Sequence, residues 1–225
     1  REVGRQLLAV AAATCRGQCG PAEARAEALR LVEELEALNP TPAPARATEL
    51  LEGEWRLVYG SEDVTRSSPF FWAFRRAFEG RADSIFAVTD GLPAKTIGEA
   101  SQTIEGGRLV NRVAVEVYGV GRTVMTTTSR IEEPDVRAEQ GEDGAPLDAE
   151  GGSDLALTVE TTQAVGNRLP FVPDVVFPSE AVLGGSARVT MRVTYLDDDL
   201  RVVRNADDGR CFVYARGEAD READR

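Results

Sequence analysis

Length, composition and charge exclude several classes of protein. The chain has 225 residues and is 42% hydrophobic, which suffices for the core of one domain, yet no apolar run approaches the roughly 20 residues of a membrane-spanning helix. The formal net charge of -12 argues against a nucleic-acid-binding protein and against attachment to anionic lipid through a basic patch. Because the sequence contains no His, it cannot form Ser–His or Cys–His catalytic pairs or the common zinc sites.

Residues 1–38 are predicted to form two helices, which make up an N-terminal α-helical extension. Pro21 suits the first turn of the second helix, and Asn39-Pro40 ends it. Apolar residues recur in this helix at spacings of three and four and give it one apolar face: Ala28, Leu31, Leu35 and Leu38. We expect this face to pack on the main domain, although a helix that binds a protein partner or lies at an interface also fits the pattern.

The three cysteines do not form a recognisable metal-binding pattern. Cys15 and Cys19 lie near each other in the sequence, Cys211 is remote, and there is no second closely spaced pair. We therefore expect free thiols, no bound metal and no cofactor.

The segment from Asn39 to Ser61 ends the second helix and starts a strand. The alternate prolines of its Asn-Pro-Thr-Pro-Ala-Pro run lack backbone donors and favour extended neighbours. Trp55, Leu57 and Tyr59 then fall at every second position, which is typical of a strand. In a closed antiparallel barrel, a Trp at the mouth of the first strand can plug one end, and the small Gly53 lets the chain turn in tightly.

A short aromatic helix is predicted after this strand. Ser68 can cap it, Pro69 can occupy its first turn, and Gly80 ends it. Its leading aromatic side chains are Phe70, Phe71, Trp72 and Phe74. We favour a helix that caps one end of a barrel, but the same four side chains could instead contact a lipid surface.

The rest of the chain alternates mainly with a period of two. With residues 55–59, nine segments read as strands: 84–88, 97–104, 108–118, 122–131, 155–161, 189–195, 200–204 and 210–216. Short alternating strands joined by turns predict a mainly β fold, an antiparallel barrel or sandwich.

Three segments depart from the strand pattern. Residues 132–154 contain nine acidic residues and one Arg, a net charge of -8, and predict a disordered acidic insertion. The connection over residues 166–185 is apolar but broken by prolines, and we expect it to pack across the barrel end or to form a lid over a pocket. Residues 217–225 are predicted to form a disordered tail.

The run Leu-Glu-Ala-Leu-Asn-Pro-Thr-Pro-Ala-Pro, followed by Leu-Leu-Glu-Gly-Glu-Trp, resembles the plastid lipid-associated proteins, also called fibrillins or plastoglobulins. The resemblance covers most of residues 14–216. It implies a lipocalin-like antiparallel β-barrel over residues 39–216 and a location in plastids, at plastoglobules or thylakoids. In lipocalin-like proteins an Arg near the final strands stacks on the Gly-x-Trp tryptophan, and Arg204 is the matching candidate to close the barrel against Trp55.

The resemblance also implies a function. It indicates a protein that is not an enzyme and that binds an apolar lipid or isoprenoid ligand (lipids, carotenoids or prenylquinones) while associating peripherally with lipid surfaces. If the barrel contains a pocket, the apolar strand faces predict its lining, although the same side chains could fill a solid core: Val113, Val115, Val117, Met125, Val159, Met191, Val193 and Tyr195. Two alternatives stay open: a scaffold that coats lipid particles or recruits a biosynthetic enzyme, and an enzyme that acts on an isoprenoid or fatty-acid derivative.

Overall fold

The structure is a computed structural model that describes residues 1–90, 95–117, 121–132, 152–166 and 175–217. Most of the predicted acidic insertion, part of the 166–185 connection and the predicted tail beyond Gly217 lie outside these ranges. Six α-helices occur within them: α1 (Glu2–Ala13), α2 (Ala22–Ala37), α3 (Thr48–Leu51), α4 (Pro69–Ala77), α5 (Ala82–Asp90) and α6 (Ser179–Leu183). None of these helices is both long and apolar enough to cross a bilayer.

The strands of the described ranges form one antiparallel sheet. They are β1 (Gly53–Gly60), β2 (Lys95–Glu105), β3 (Arg108–Val117), β4 (Gly121–Ile131), β5 (Asp154–Val165), β6 (Val175–Phe177), β7 (Arg188–Leu196), β8 (Leu200–Asn205) and β9 (Cys211–Arg216). Their order is β4-β3-β2-β1-β9-β8-β7-β5-β6, and β4 also pairs with β5. This extra pairing closes eight strands into a barrel, with β6 beside β5, so the predicted antiparallel barrel with N-terminal helices is confirmed.

The predicted strand over residues 84–88 is wrong, because this segment belongs to α5. A short apolar run carries little information about period, and contacts decide its conformation. Phe86 packs on α4, with ring centroids 5.5 Å from Phe71 and 5.6 Å from Phe74. The sheet instead gains β6, which pairs with residues 162–164 of β5.

Both described ends of the acidic segment are tied to the barrel. Asp154, predicted to lie in the insertion, is the first residue of β5 and accepts a 2.6 Å bond from Nε of Arg192. Glu132 accepts a hydrogen bond from the Thr158 hydroxyl and forms a 2.7 Å ion pair with Arg188. The described ends of the segment therefore lie at neighbouring positions beside β4 and β5.

β-Bulges in β1 and β7 change which face of the sheet the side chains of these strands occupy. The pairing of β1 with β9 shifts between Leu57 and Tyr59, and the pairing of β7 with β8 shifts between Val193 and Tyr195. An extra residue inverts the side-chain alternation beyond it. Leu57 and Val193 therefore belong to the core inside the barrel, whereas Tyr59 and Tyr195 belong to a second core outside it.

The second core is the contact between the helical extension and the outer face of the barrel. Helices α1 and α2 contribute Leu7, Ala11, Leu31 and Leu35, which pack with the outward-facing Val202 and Val213 of β8 and β9. At the edge of this contact, Arg204 forms a two-pronged ion pair with Glu36 of α2, at 2.7 and 2.8 Å. The N-terminal helices thus complete the hydrophobic burial of the final strands.

We expect Leu31→Ala to lower the free energy of unfolding by about 2–4 kcal/mol, because the side chain is 1% exposed and its removal leaves a cavity between α2 and the barrel. Leu29→Ala is the matched control on the same helix. Leu29 is 37% exposed, and its truncation should cost less than about 1 kcal/mol. Urea denaturation of both variants measures the difference. Equal losses would contradict the packing of α2 on the barrel.

Candidate functional site

The lower end of the barrel, where β1 begins at Gly53, is closed around a sandwiched tryptophan. Trp55 is fully buried, and its Nε1 donates a 2.8 Å hydrogen bond to the Leu51 carbonyl. The guanidinium of Arg201 lies 4.8 Å from its ring centroid and that of Arg216 lies 4.3 Å away. Arg216 also donates to the carbonyls of Leu50 (2.6 Å) and Glu52 (3.1 Å), which ties the last strand to the start of the first.

The structure corrects the predicted stacking of Arg204 on Trp55. Side chains alternate between the two faces of a strand, so residues three apart on β8 point in opposite directions. Arg201 points into the barrel and meets Trp55, whereas Arg204 points outward and binds Glu36. The arginines that stack on Trp55 are therefore Arg201 and Arg216, and the choice of Arg204 was wrong.

A polar layer crosses the barrel interior at the level of Trp55. Gln102, Asn111, Thr127 and Thr162 occupy directly opposed positions on β2, β3, β4 and β5. Arg201 donates from Nη2 to the Gln102 Oε1 (2.5 Å), and the Gln102 amide donates to Asn111 Oδ1 (3.1 Å). Sequence reasoning missed this layer, although polar residues at inward positions of the predicted strands were a usable signal.

The polar layer continues into the segments that cap the barrel. The Ser68 hydroxyl donates to the Thr127 hydroxyl at 2.8 Å, and Thr127 lies 3.2 Å from the Thr162 hydroxyl. Thr162 in turn lies 3.3 Å from the Ser179 hydroxyl at the start of α6. These contacts position the first residues of α4 and α6 inside the barrel mouth.

Arg201 carries a charge into this interior without an acidic partner. Its Nε and Nη1 make no hydrogen bond within the described part of the chain. The buried charged side chains among the described residues are Arg66 and Arg201, and none is acidic. Burial lowers the pKa of Arg201 to about 10, so the group stays cationic at neutral pH. The Tyr214 ring, 4.8 Å away on the side of β9, supplies a second aromatic face.

The upper end of the barrel, where β1 ends at Gly60, is covered by α4. Ser68 caps this helix by accepting from the Phe70 amide, as predicted. Trp72 points into the barrel, is 1% exposed, and stacks on Phe212 at 6.1 Å. Its Nε1 donates to the Arg66 carbonyl at 2.7 Å. The predicted lipid contact of Trp72 is therefore wrong, because this side chain is part of the barrel core.

The other aromatic side chains of α4 form a layer on top of the barrel together with neighbours from α5 and β6. Consecutive ring centroids lie 4.5–6.0 Å apart. We call the following set the aromatic layer: Phe70, Phe71, Phe74, Phe78, Phe86 and Phe177. Phe70, Phe71 and Phe74 are half-buried, and Phe78 is 42% exposed.

Arginines fix the position of the aromatic layer. The Arg66 guanidinium lies 4.0 Å from the Phe86 centroid and 4.6 Å from that of Phe71. Arg75 stacks on Phe86 at 5.4 Å and forms ion pairs with Glu62 and Asp208, at 3.2 and 2.8 Å. Burial raises the pKa of Glu62, against the lowering effect of Arg75, so this pair is sensitive to the loss of either partner.

The predicted pocket residues divide into four groups. Val113, Val159, Met191 and Val193 are fully buried inside the barrel. Val115 and Met125 face inward toward its upper end and are only half-buried; Val115 lies four residues beyond Asn111 along β3, and Met125 lies two residues from Thr127 along β4. Tyr195 lies outside the barrel beneath the helices, where its hydroxyl donates to Asp197 at 2.5 Å. Val117 ends β3, and its side chain lies outside the described part of the structure.

Two open grooves flank helix α1 on the outside of the barrel. One, of about 680 Å³, runs between α1 and the strands β1 and β2. The other, of about 640 Å³, lies between α1 and the turn that joins β7 to β8. Leu8 lines both grooves. Within the described ranges no three His, Cys, Asp or Glu side chains come close enough together to hold a metal ion.

We expect Arg216→Met to lower the free energy of unfolding by about 2–3 kcal/mol, because it leaves carbonyls of the lower end unpaired and removes one face of the Trp55 sandwich. Arg192→Met is the control, since the ion pair of Arg192 with Asp154 is half-exposed and its loss should cost about 1 kcal/mol or less. Chemical denaturation checks both. A loss for Arg216→Met no larger than that of the control would show that the sandwich does not close the barrel.

Comparison with known proteins finds one matching family model and several relatives. The family model PAP_fibrillin matches residues 1–215. A plastid-lipid-associated protein of Citrus unshiu is 28% identical, over 90% of this chain and 64% of the relative. A light-induced chloroplast protein of Solanum tuberosum is 28% identical over 93% of this chain and 65% of its own, and a chromoplast-specific carotenoid-associated protein of an Oncidium hybrid is 27% identical over 94% and 68%.

The matches cover nearly the whole chain but not the whole of each relative. The chain spans about 64–65% of the length of the first two relatives, and no solved structure matches it. The relatives are chloroplastic or chromoplastic proteins, which agrees with the predicted location in plastids. With a family model matched over residues 1–215, the chain belongs to the PAP_fibrillin family of plastid lipid-associated proteins.

Proposed function

We propose that this plastid protein binds apolar molecules (lipids, carotenoids or prenylquinones) and associates peripherally with plastoglobules or thylakoids. The observation that carries the proposal is the aromatic layer, which lies on top of a closed barrel with Phe78 42% exposed. The names of relatives support it, since one is called plastid-lipid-associated and another carotenoid-associated. None of the three relatives compared above carries the name of an enzyme.

The aromatic layer suits contact with a lipid surface. Phe71, Phe74 and Phe78 are half-buried or exposed, so each ring still has apolar area that a lipid phase could cover. Covering a whole aromatic side chain contributes about 1.5–3 kcal/mol, and partial covering of three rings contributes enough for reversible binding. Arg76 is exposed at the edge of α4, where its charge can stay at the level of lipid headgroups.

The upper end of the barrel also supports a shallow internal site for the apolar part of a ligand. Val115 and Met125 face inward there and remain half-buried. The polar layer at Asn111 and Thr127 forms the floor below them, because an apolar ligand that displaced its hydrogen bonds would leave buried polar groups unpaired. A ligand that entered beneath α4 would contact the aromatic layer on the way in.

The scaffold alternative is favoured by a different observation. Val113, Val159, Met191 and Val193 are fully buried and pack with Trp55 and Phe212 in one core. A filled barrel core under an exposed aromatic layer is what a protein needs in order to coat lipid without enclosing a ligand. The two functions are separated by whether apolar molecules bind in the absence of a lipid surface.

We expect Phe78→Asp to reduce binding to triacylglycerol droplets coated with a galactolipid monolayer by about tenfold or more, because an ionised carboxylate resists transfer from water. Co-flotation of protein with droplets measures the bound fraction. Leu38→Asp is the matched control: Leu38 is 62% exposed at the end of α2, away from the aromatic layer, and its replacement should leave flotation unchanged. Equal loss in both variants would contradict association through the aromatic layer.

For the internal site, we expect a soluble short-chain prenylquinone to quench the fluorescence of Trp72, whose side chain points from α4 into the barrel. Met125→Asp should abolish this quenching, because a charge at the upper end of the barrel would oppose an apolar ligand. Thr126→Asp places the same charge at the next residue of β4, on the outer face, and should retain it. If the quinone does not quench the wild-type protein at all, the scaffold alternative is the better account.

A further inference from the structure

Two of the three thiols of the chain meet at the turn between α1 and α2. The Cys19 thiol donates a hydrogen bond to the Cys15 sulfur, and the two Sγ atoms lie 2.8 Å apart. Both side chains are exposed, whereas Cys211 is fully buried on β9. Neither the closeness of the pair nor its exposure follows from its spacing in the sequence, and neither is used by the proposed function.

The backbone of the turn holds the pair together. Cys15 and Arg16 adopt positive φ values of 49° and 64°, which non-glycine residues seldom do. The turn is closed by bonds from the Arg16 amide to the Ala11 carbonyl (2.7 Å) and from the Cys19 amide to the Thr14 carbonyl (3.0 Å). The thiols are therefore brought together by the fold and not by free rotation of their side chains.

The turn is also docked on the barrel. The Gly60 amide donates to the Arg16 carbonyl at 3.1 Å, and the Gln18 side chain donates to the Glu62 carbonyl at 3.0 Å. Gly17 has a φ of +85°, and a Cβ on it would lie 2.4 Å from the Gly60 carbonyl oxygen, so only glycine fits there. The thiol pair thus sits at a fixed position beside the end of β1.

We propose that Cys15 and Cys19 are a site of reversible oxidation. A disulfide oxidant, either a small molecule or a protein, converts the two thiols into an intramolecular disulfide. A disulfide needs an S–S distance of about 2.05 Å, so the two sulfurs have to approach by less than about 1 Å. Their exposure admits a disulfide oxidant such as oxidised glutathione or a thioredoxin-type protein. The inference is independent of lipid binding and would hold if the proposed function failed.

The chemistry balances as two thiol–disulfide exchanges. Cys15, whose sulfur accepts the hydrogen bond, loses its proton to solvent, and the resulting thiolate attacks the oxidant, forming a mixed disulfide and releasing one thiolate of the oxidant. Cys19 then loses its proton to solvent and attacks the Cys15 sulfur, and the second half of the oxidant leaves as a thiol. The bond to Cys15 raises the pKa of the Cys19 thiol while the pair is reduced, and formation of the mixed disulfide removes that bond.

The product would lock the turn that joins the two N-terminal helices. Because those helices cover the outer face of β8 and β9, a crosslink in their connection stabilises the folded state relative to the unfolded chain. The loop closed by the disulfide is short, so we expect the melting temperature to rise by about 2–6 °C on oxidation.

The test uses the wild-type chain treated with oxidised glutathione and analysed by intact mass spectrometry and tryptic mapping. The expected result is a mass loss of about 2 Da with no retained glutathione. Trypsin cuts after Arg16, between the two cysteines, so the disulfide should link peptides 6–16 and 17–25. Dithiothreitol should separate the linked peptides. In native protein a thiol-alkylating reagent should label two cysteines before oxidation and none after it, with buried Cys211 as the unreactive internal control.

Two results would overturn the proposal. One is stable glutathione adducts on Cys15 or Cys19 without closure, which would mean that the second exchange does not occur. The other is unchanged labelling of both thiols after oxidation. Cys19→Ser provides the positive reference for a trapped adduct on Cys15, and since both side chains are exposed the variant should fold like the wild type.

Discussion

A buried guanidinium that meets no carboxylate within the described part of the chain sets the organisation of the barrel interior. Arg201 is fully buried, and removing a charge from water costs several kcal/mol unless the surroundings compensate. The compensation comes from two aromatic faces, Trp55 and Tyr214, and from Gln102. Gln102 must then be satisfied in turn, which draws Asn111 into the polar layer. The layer divides the interior into a closed lower end and an upper end covered by α4.

The second constraint is that the final strands are buried on both faces. A strand of a barrel usually turns one face to water, but the side chains of β8 and β9 are buried on both the inner and the outer face. Such strands need a cover, and α1 with α2 provides it through Leu7, Leu31 and Leu35. The N-terminal extension is therefore part of the fold of the barrel, and its connecting turn, with the two exposed thiols, is held at one place on β1.

Periodicity was enough to predict a mainly β fold, the capped aromatic helix and the apolar face of α2 except for the exposed Leu38, since each depends on local alternation, whereas the choice of a barrel over a sandwich came from the family resemblance. The predictions that failed depend on which face of a strand or helix a side chain occupies. The bulge at Thr194 places Tyr195 in the outer core and not in the predicted pocket. The residue types at this position do not indicate a bulge. Arg201 and Arg204 differ only in which face of β8 they occupy, so the stacking partner of Trp55 could not be chosen without the register. Trp72 was misassigned because an aromatic residue on a capping helix can face either the core or the outside.

These two constraints together favour the upper end for the lipid association that we propose. The lower end is sealed by Arg216, whose donors are held by the carbonyls of Leu50 and Glu52, and opening it would expose Trp55 and leave backbone groups unpaired. The outer face of the final strands is already covered by the helices. The upper end differs, because its aromatic layer is held by arginine stacking and side-chain ion pairs and still exposes ring surface. The upper end therefore offers the proposed lipid contact an apolar area that can be covered without breaking the core.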